Sequence, residues 1–221
     1  MRKNLCLIII VLCSFVQENH PPVVKIITPA GRSSYEWNAI INYSISVSDK
    51  EDGESKFQEI VADEVFLKVK WLPDSSGLKA EINNEPAGLT VIRTSNCLNC
   101  HAFNSKLIGP SFYEINKHYP YTKANSEHLQ KSIRNGSTGV WGTISMPTHP
   151  ELNKQQIESA AEWVLKNAAD PDVYYFRGTE GSIKLKSPAA AGKGILALIA
   201  SYNDHGVKSL KGQDVVVMKV K

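Results

Sequence analysis

Five consecutive residues, Cys97-Leu98-Asn99-Cys100-His101, constrain this chain more than any other stretch. Two thiols spaced by two residues and followed at once by an imidazole form the attachment pattern of a c-type haem. The thiols add across the two vinyl groups, and the adjoining histidine is left where its ring reaches iron from one face. Without the histidine, the pair would read equally as half of a zinc site, a redox dithiol or two buried cysteines. Zinc needs further ligands at short spacing, yet the other cysteines, Cys6 and Cys13, stand in an N-terminal apolar run. A redox dithiol asks for a surrounding βαβ pattern, which is missing here. One covalently bound haem c is therefore the predicted cofactor.

The N-terminus gives an address. Arg2 and Lys3 precede the apolar run Leu5 to Val16, and polarity returns at Gln17-Glu18-Asn19-His20. This is the order of a signal peptide over residues 1–20, and the run is shorter than the ~20 residues a membrane span takes. The expected product is exported to the periplasm or cell surface. Cys13 is a candidate lipidated N-terminus, although Leu12 before it is bulkier than such cleavage sites prefer. With the leader gone, Cys97 and Cys100 are the only cysteines, so no structural disulfide is available. A net charge of +3 with no long Lys/Arg run argues against a nucleic-acid partner.

From Pro21 to about Ile82 the apolar period is two, the signature of strands with one buried face. Val23 to Ile27 is a first strand. Ile41, Tyr43, Ile45 and Val47 share a face of a second, and Val65, Leu67, Val69 and Trp71 share a face of a third. Lys79 to Ile82 reads as a weaker fourth. Between them the acidic turn Asp49-Lys50-Glu51-Asp52-Gly53 is either solvated or a calcium site.

Helical spacing takes over near Pro86 and lasts to about Ala168. A short helix leads into the Cys97 motif, Ser126 is positioned to cap a second that ends at Asn135-Gly136, and Asn153 with Gln156 forms a capping box for the last. Period two then returns at Ser182 to Lys186, Ile195 to Tyr202 and Val215 to Val220. Neither set of strands alone buries its apolar face. The predicted architecture is thus two domains, an all-α unit inserted into an all-β Ig-like sandwich. Residues 21–85 and 170–221 form the halves of the sandwich and 86–169 the insert.

The insert resembles a class I monohaem bacterial cytochrome c. The resemblance rests on Cys97 to His101, Ile108-Gly109-Pro110, Asn135-Gly136-Ser137-Thr138-Gly139-Val140-Trp141-Gly142 and Met146-Pro147. It implies Met146, 45 residues after His101, as sixth ligand. Elimination agrees, since Met1 belongs to the leader and Met218 to a strand; His118, His128 and His149 are the rivals. The resemblance also implies that the Pro110 carbonyl orients His101 and that Trp141, unless it simply packs, donates to a haem propionate; Arg134 is a second candidate donor but reads better as a solvated helix residue. It makes Phe112, Leu129, Ile133 and Ile144 pocket walls, and Gly88 and Trp163 the crossing point of the first and last helices. The flanking strands resemble, more loosely, PKD-type Ig-like domains at Val47 to Gly53 and Ala200 to Gly206.

These readings imply an electron carrier and not an enzyme. His101 and Met146 would fill both open positions on iron and leave none for substrate. Residues 86–169 hold eight Lys/Arg and five Asp/Glu, too mild a balance for strong electrostatic steering toward a redox partner such as a periplasmic dehydrogenase or terminal oxidase. The alternatives are a haem peroxidase or ligand sensor, which needs Met146 to leave, and a glycan-binding adhesin with an auxiliary haem unit.

Overall fold

The computed structural model describes residues 18–31, 33–185 and 193–220. Residues 1–17 of the predicted leader 1–20, with Cys6 and Cys13, lie outside the described residues, as does Lys186. Strands β1 (Val23–Thr28), β2 (Ser34–Tyr35), β3 (Ile40–Asp49), β4 (Gly53–Glu54) and β5 (Phe66–Leu72) come first. Helices α1 (Leu78–Asn83), α2 (Ala87–Thr94), α3 (Phe112–His118), α4 (Lys123–Asn135) and α5 (Lys154–Asn167) follow. The chain then returns to strands β6 (Val173–Arg177), β7 (Glu180–Lys184), β8 (Ile195–Asn203) and β9 (Lys211–Val220).

The strands on either side of the helices share sheets. β3 pairs antiparallel with β1, β4 and β7, while the second sheet runs β2-β9-β8-β5-β6. Period two explains what lies between them. Ile41, Tyr43, Ile45 and Val47 of β3 are buried against Leu67 and Val69 of β5 and Leu196 and Leu198 of β8, in one core. Burying each such side chain contributes about 1.5–3 kcal/mol. Met218 sits in this core, opposite Leu196.

β5 and β6 are hydrogen-bonded neighbours. Lys70 lies opposite Val173, and the Trp71 N–H donates to the Asp172 carbonyl at 2.9 Å. They form an antiparallel hairpin whose connection contains all five helices, so the helical block leaves and re-enters the sheet at adjoining points.

β5 is buried on both faces. Leu67 and Val69 point into the core between the sheets, whereas Phe66 belongs to a second core with Leu89, Ile92, Phe103, Phe112 and Trp163 of the helical block. Lys68, only 9% exposed, donates to the Glu81 carboxylate at 2.9 Å and the Glu81 carbonyl at 2.8 Å. This corrects the expected strand at Lys79 to Ile82. A short helix there leaves last-turn carbonyls free to accept from the buried ammonium of Lys68, and α1 forms instead.

Three other readings change. α4 begins before Ser126, with the Thr122 hydroxyl accepting the Asn125 N–H at 3.1 Å. α3 was not expected, although Ser111 and Glu114 carry a capping box. β6 was not expected either: every residue of it is half-buried, so no alternation marks it. The capping box of Asn153 and Gln156 does start α5.

The acidic turn is held by protein donors. Asp49 Oδ1 accepts the N–H groups of Glu51 and Asp52, and Asp52 Oδ2 accepts the Tyr202 hydroxyl at 2.8 Å and the His205 N–H at 3.0 Å. Among the described residues no three His, Cys, Asp or Glu side chains cluster as a metal site. Burial opposes charge on Asp52, but the bonds from Tyr202 and His205 outweigh it and hold the carboxyl below its ordinary value. A depressed carboxylate gives stability that is full above the unfolded pKa of about 3.9 and is lost as pH falls through the folded value. Asp52→Asn is therefore expected to lower the melting temperature of the sheets at neutral pH. The gap to the native protein closes in acid, as thermal scans across that range would show.

Candidate functional site

The attachment segment is shaped by its own backbone. The Cys97 carbonyl accepts both the Cys100 N–H at 3.2 Å and the His101 N–H at 2.9 Å, winding the five residues into a tight turn. Both thiols and His101 thereby line one cleft. The chain then doubles back: the Ile108 and Gly109 N–H groups donate to the Cys100 carbonyl at 3.1 and 2.8 Å. Ser111 caps α3 immediately beyond. This return loop sets Pro110 over the imidazole, and His101 Nδ1 lies 2.6 Å from the Pro110 carbonyl oxygen. A carbonyl can only accept, so Nδ1 carries the proton and Nε2 keeps its lone pair. Gly109 is required by the same closeness, since a Cβ there would stand 2.7 Å from His101 Cε1.

Burial lowers the His101 pKa, against the opposing bond to Pro110, so the ring is neutral and ready to ligate at pH 7. Phe112 stacks on it at 5.3 Å between ring centroids. Burial likewise pushes the Cys97 thiol up, while Ser95 Oγ at 3.1 Å pulls the other way.

Met146 lines the same cleft. It is joined to Ser137 by a two-way backbone bridge, at 2.8 and 3.2 Å. Gly136 ends α4 at φ 79, where a Cβ would come within 2.7 Å of the Met146 carbonyl oxygen. The cleft of about 540 Å³ brings Cys97, Cys100, His101, Pro110, Trp141 and Met146 together. Phe112, Leu129, Ile133 and Ile144 line it as well. Arg134 is exposed and does not line it. Trp141 meets the ring of His118 edge-on at 5.0 Å.

The three rival histidines separate. His118 is exposed and does not line the cleft, His128 is exposed but lines it, and His149 is buried, lines it and holds Glu151 through Nδ1 at 2.8 Å. A lone histidine two residues before a glutamate gives no sequence signal for such burial.

The residues fit a haem. Apolar walls stand open around the cleft, with Ile144 67%, Val140 50% and Ile108 49% exposed, which is costly unless a flat apolar group covers them. Two free thiols, a neutral imidazole with one nitrogen available and a thioether share the same space.

The family profile and the curated relatives point the same way. The cytochrome c family profile matches residues 87–168. Cytochrome c-551 of Azotobacter vinelandii is 38% identical over 78 residues, which is 35% of this chain and 94% of that protein. Cytochrome c-552 of Nitrosomonas europaea is 30% identical over 79 residues, 36% of this chain and 77% of that protein. The crystal structure of the Nitrosomonas europaea protein aligns with a TM-score of 0.34 at 29% identity, covering 35% of this chain and 96% of that one.

Proposed function

Over residues 87–168 this chain belongs to the cytochrome c family, and on that footing we propose that it is an exported one-electron carrier with a single covalently held haem c. The observation that carries the reading is the His101 ring, turned by Pro110 so that a free nitrogen faces a cleft shared with Cys97, Cys100 and Met146. Cys97 and Cys100 would hold the group covalently, and His101 and Met146 would ligate its metal. When bound, haem supplies one-electron exchange between ferric and ferrous iron at a potential that a His/Met pair raises. Pro110 keeps the imidazole in one tautomer, Phe112 limits its rotation, and the Ser137 bridge limits the travel of Met146, so the ligand set changes little between redox states. Trp141 is assigned to a propionate.

The strands are read as an Ig-like, PKD-type sandwich formed by residues 21–85 and 170–221, with 86–169 inserted. The shared sheets support this, as do the joint core and the β5–β6 hairpin. We assign the sandwich to positioning the haem unit near a periplasmic redox partner, a dehydrogenase or terminal oxidase. No helix among the described residues is long and apolar enough to cross a membrane, and attachment through a lipidated Cys13 rests on the sequence alone.

Mass spectrometry of protein from an exporting host should find one haem on the peptide containing Cys97 and Cys100. The oxidised protein should show the Met-to-iron charge-transfer band and refuse carbon monoxide when reduced, and Met146→Ala should lose the band and admit the gas. A band that survives Met146→Ala sinks the assigned ligand.

A further inference from the structure

The strand block meets the attachment segment and its two flanks at three points. At its N-terminal side, Arg93 is only 7% exposed; its guanidinium donates to Ser201 Oγ of β8 at 3.1 Å and lies 4.0 Å from the ring centroid of Phe66. Beyond the motif, Phe103 packs on Tyr175 of β6 and on Phe66, with centroids 4.9 and 5.7 Å apart. Between these points the Leu98 carbonyl, inside the motif itself, accepts Nη1 of Arg177 from β6 at 2.9 Å. Arg177 is aimed by Asp63, whose carbonyl takes Nε at 2.8 Å and whose carboxylate lies 3.8 Å from Nη2.

The middle contact matters most. Leu98 lies in the 3-10 turn Asn96–Asn99 that sets both thiols and the His101 N–H, and end-of-turn carbonyls need a partner from elsewhere. A guanidinium supplies a charge-assisted donor in a fixed fork, and its positive charge comes from the other structural block.

We propose that Arg177 is a positioning residue for haem attachment and tuning, so that the strand block completes the site instead of merely carrying it. The inference rests on the electron-carrier reading. Through Leu98 the guanidinium holds the Cys97–His101 turn in register, and its charge disfavours the oxidised, more positive state of the bound group. The strand block would thereby set both the order of the attachment segment and the driving force for electron exchange.

The test compares Arg177→Gln and Arg177→Lys in the full holoprotein. Amide hydrogen exchange at Cys100 and His101, whose N–H groups report the turn, should speed up roughly tenfold in Arg177→Gln, as loss of a charge-assisted bond implies. The equilibrium constant for electron exchange with a reference couple should shift about threefold or more toward the oxidised protein. Arg177→Lys keeps the charge but not the fork. It should recover the redox equilibrium and only part of the amide protection, a split that a merely structural role would not give. Native exchange at both amides in Arg177→Gln, or a redox equilibrium unchanged by loss of the charge, overturns the proposal. If Arg177→Gln does not accumulate, Arg177→Lys decides alone: native protection at Cys100 and His101 overturns it. Wild-type protein without haem would sink the carrier reading, while the amide comparison would still report whether Arg177 holds the turn.

Discussion

Replacing both Cys97 and Cys100 with alanine should abolish visible absorption and split unfolding into two steps, with the helical block melting well below the sheets. The two blocks differ in how complete their cores are. Between the sheets, Val65, Leu67, Val69, Leu196 and Leu198 are fully buried among one another and need nothing added. In the helical block, Ile108, Val140 and Ile144 stand open around the cleft, and the loop from Gly136 to Met146 is closed on itself by the Ser137–Met146 bridge and the bond between the Thr138 and Ser145 hydroxyls. Covering an apolar side chain contributes about 1.5–3 kcal/mol, so a group lying across these three contributes on the order of 5 kcal/mol to the helices and little to the strands. Far-UV circular dichroism should follow the helices, and amide exchange within β8 should follow the sheets. A double variant that unfolds in one step at the native temperature would show that the helical core closes without a ligand.

The expected separation of the two blocks also explains what was legible in the sequence. The attachment pattern is contiguous, so Cys97 to His101 could be read without a fold, whereas Met146-Pro147 was picked out by its resemblance to the family. The alternation of β3 was legible because one face meets the core and the other meets water. β5 was half legible: Val65, Leu67, Val69 and Trp71 announce a buried face, but Phe66, Lys68 and Lys70 look like an ordinary solvated one. Only the fold reveals that α1 and the stretch after α5 cover them, through Glu81 and Asp170.

What stayed hidden depends on contacts between distant parts of the chain. β6 has no alternation because the helical block partly covers one side of it. The burial of His149 comes from the folding back of the segment after Met146, where its N–H donates to the Ile133 carbonyl at 3.2 Å. The reach of Arg177 to Leu98 spans 79 positions of the chain. The start of α3 is a different case. Ser111 and Glu114 carry a local signal of the kind that was recognised at Asn153, so this helix was readable.

Gly88 should be the least replaceable residue of the helical block outside the proposed haem ligands. It sits in α2 where this helix crosses α5, and a Cβ there would lie 2.0 Å from the Ser159 carbonyl oxygen and 2.6 Å from Trp163 Cβ. Neither atom can turn aside, because one is helix backbone and the other is the root of a side chain 3% exposed. Helix propensity alone favours Gly88→Ala by about 1 kcal/mol, so propensity and packing predict opposite signs. Packing should win, since the helices must move apart: about 2 kcal/mol lost for Gly88→Ala and about 4 or more for the branched Gly88→Val. The loss should fall on the helices first. α2 leads straight into Cys97, while Arg93 and Arg177 hold the segment to the strands, so a displaced α2 pulls the attachment turn against its own anchors. Denaturant unfolding followed by haem absorbance should therefore shift to lower concentration in both variants, with amide exchange in β8 little changed. A Gly88→Ala protein as stable as the native one would mean that the crossing is looser than 2.0 Å implies.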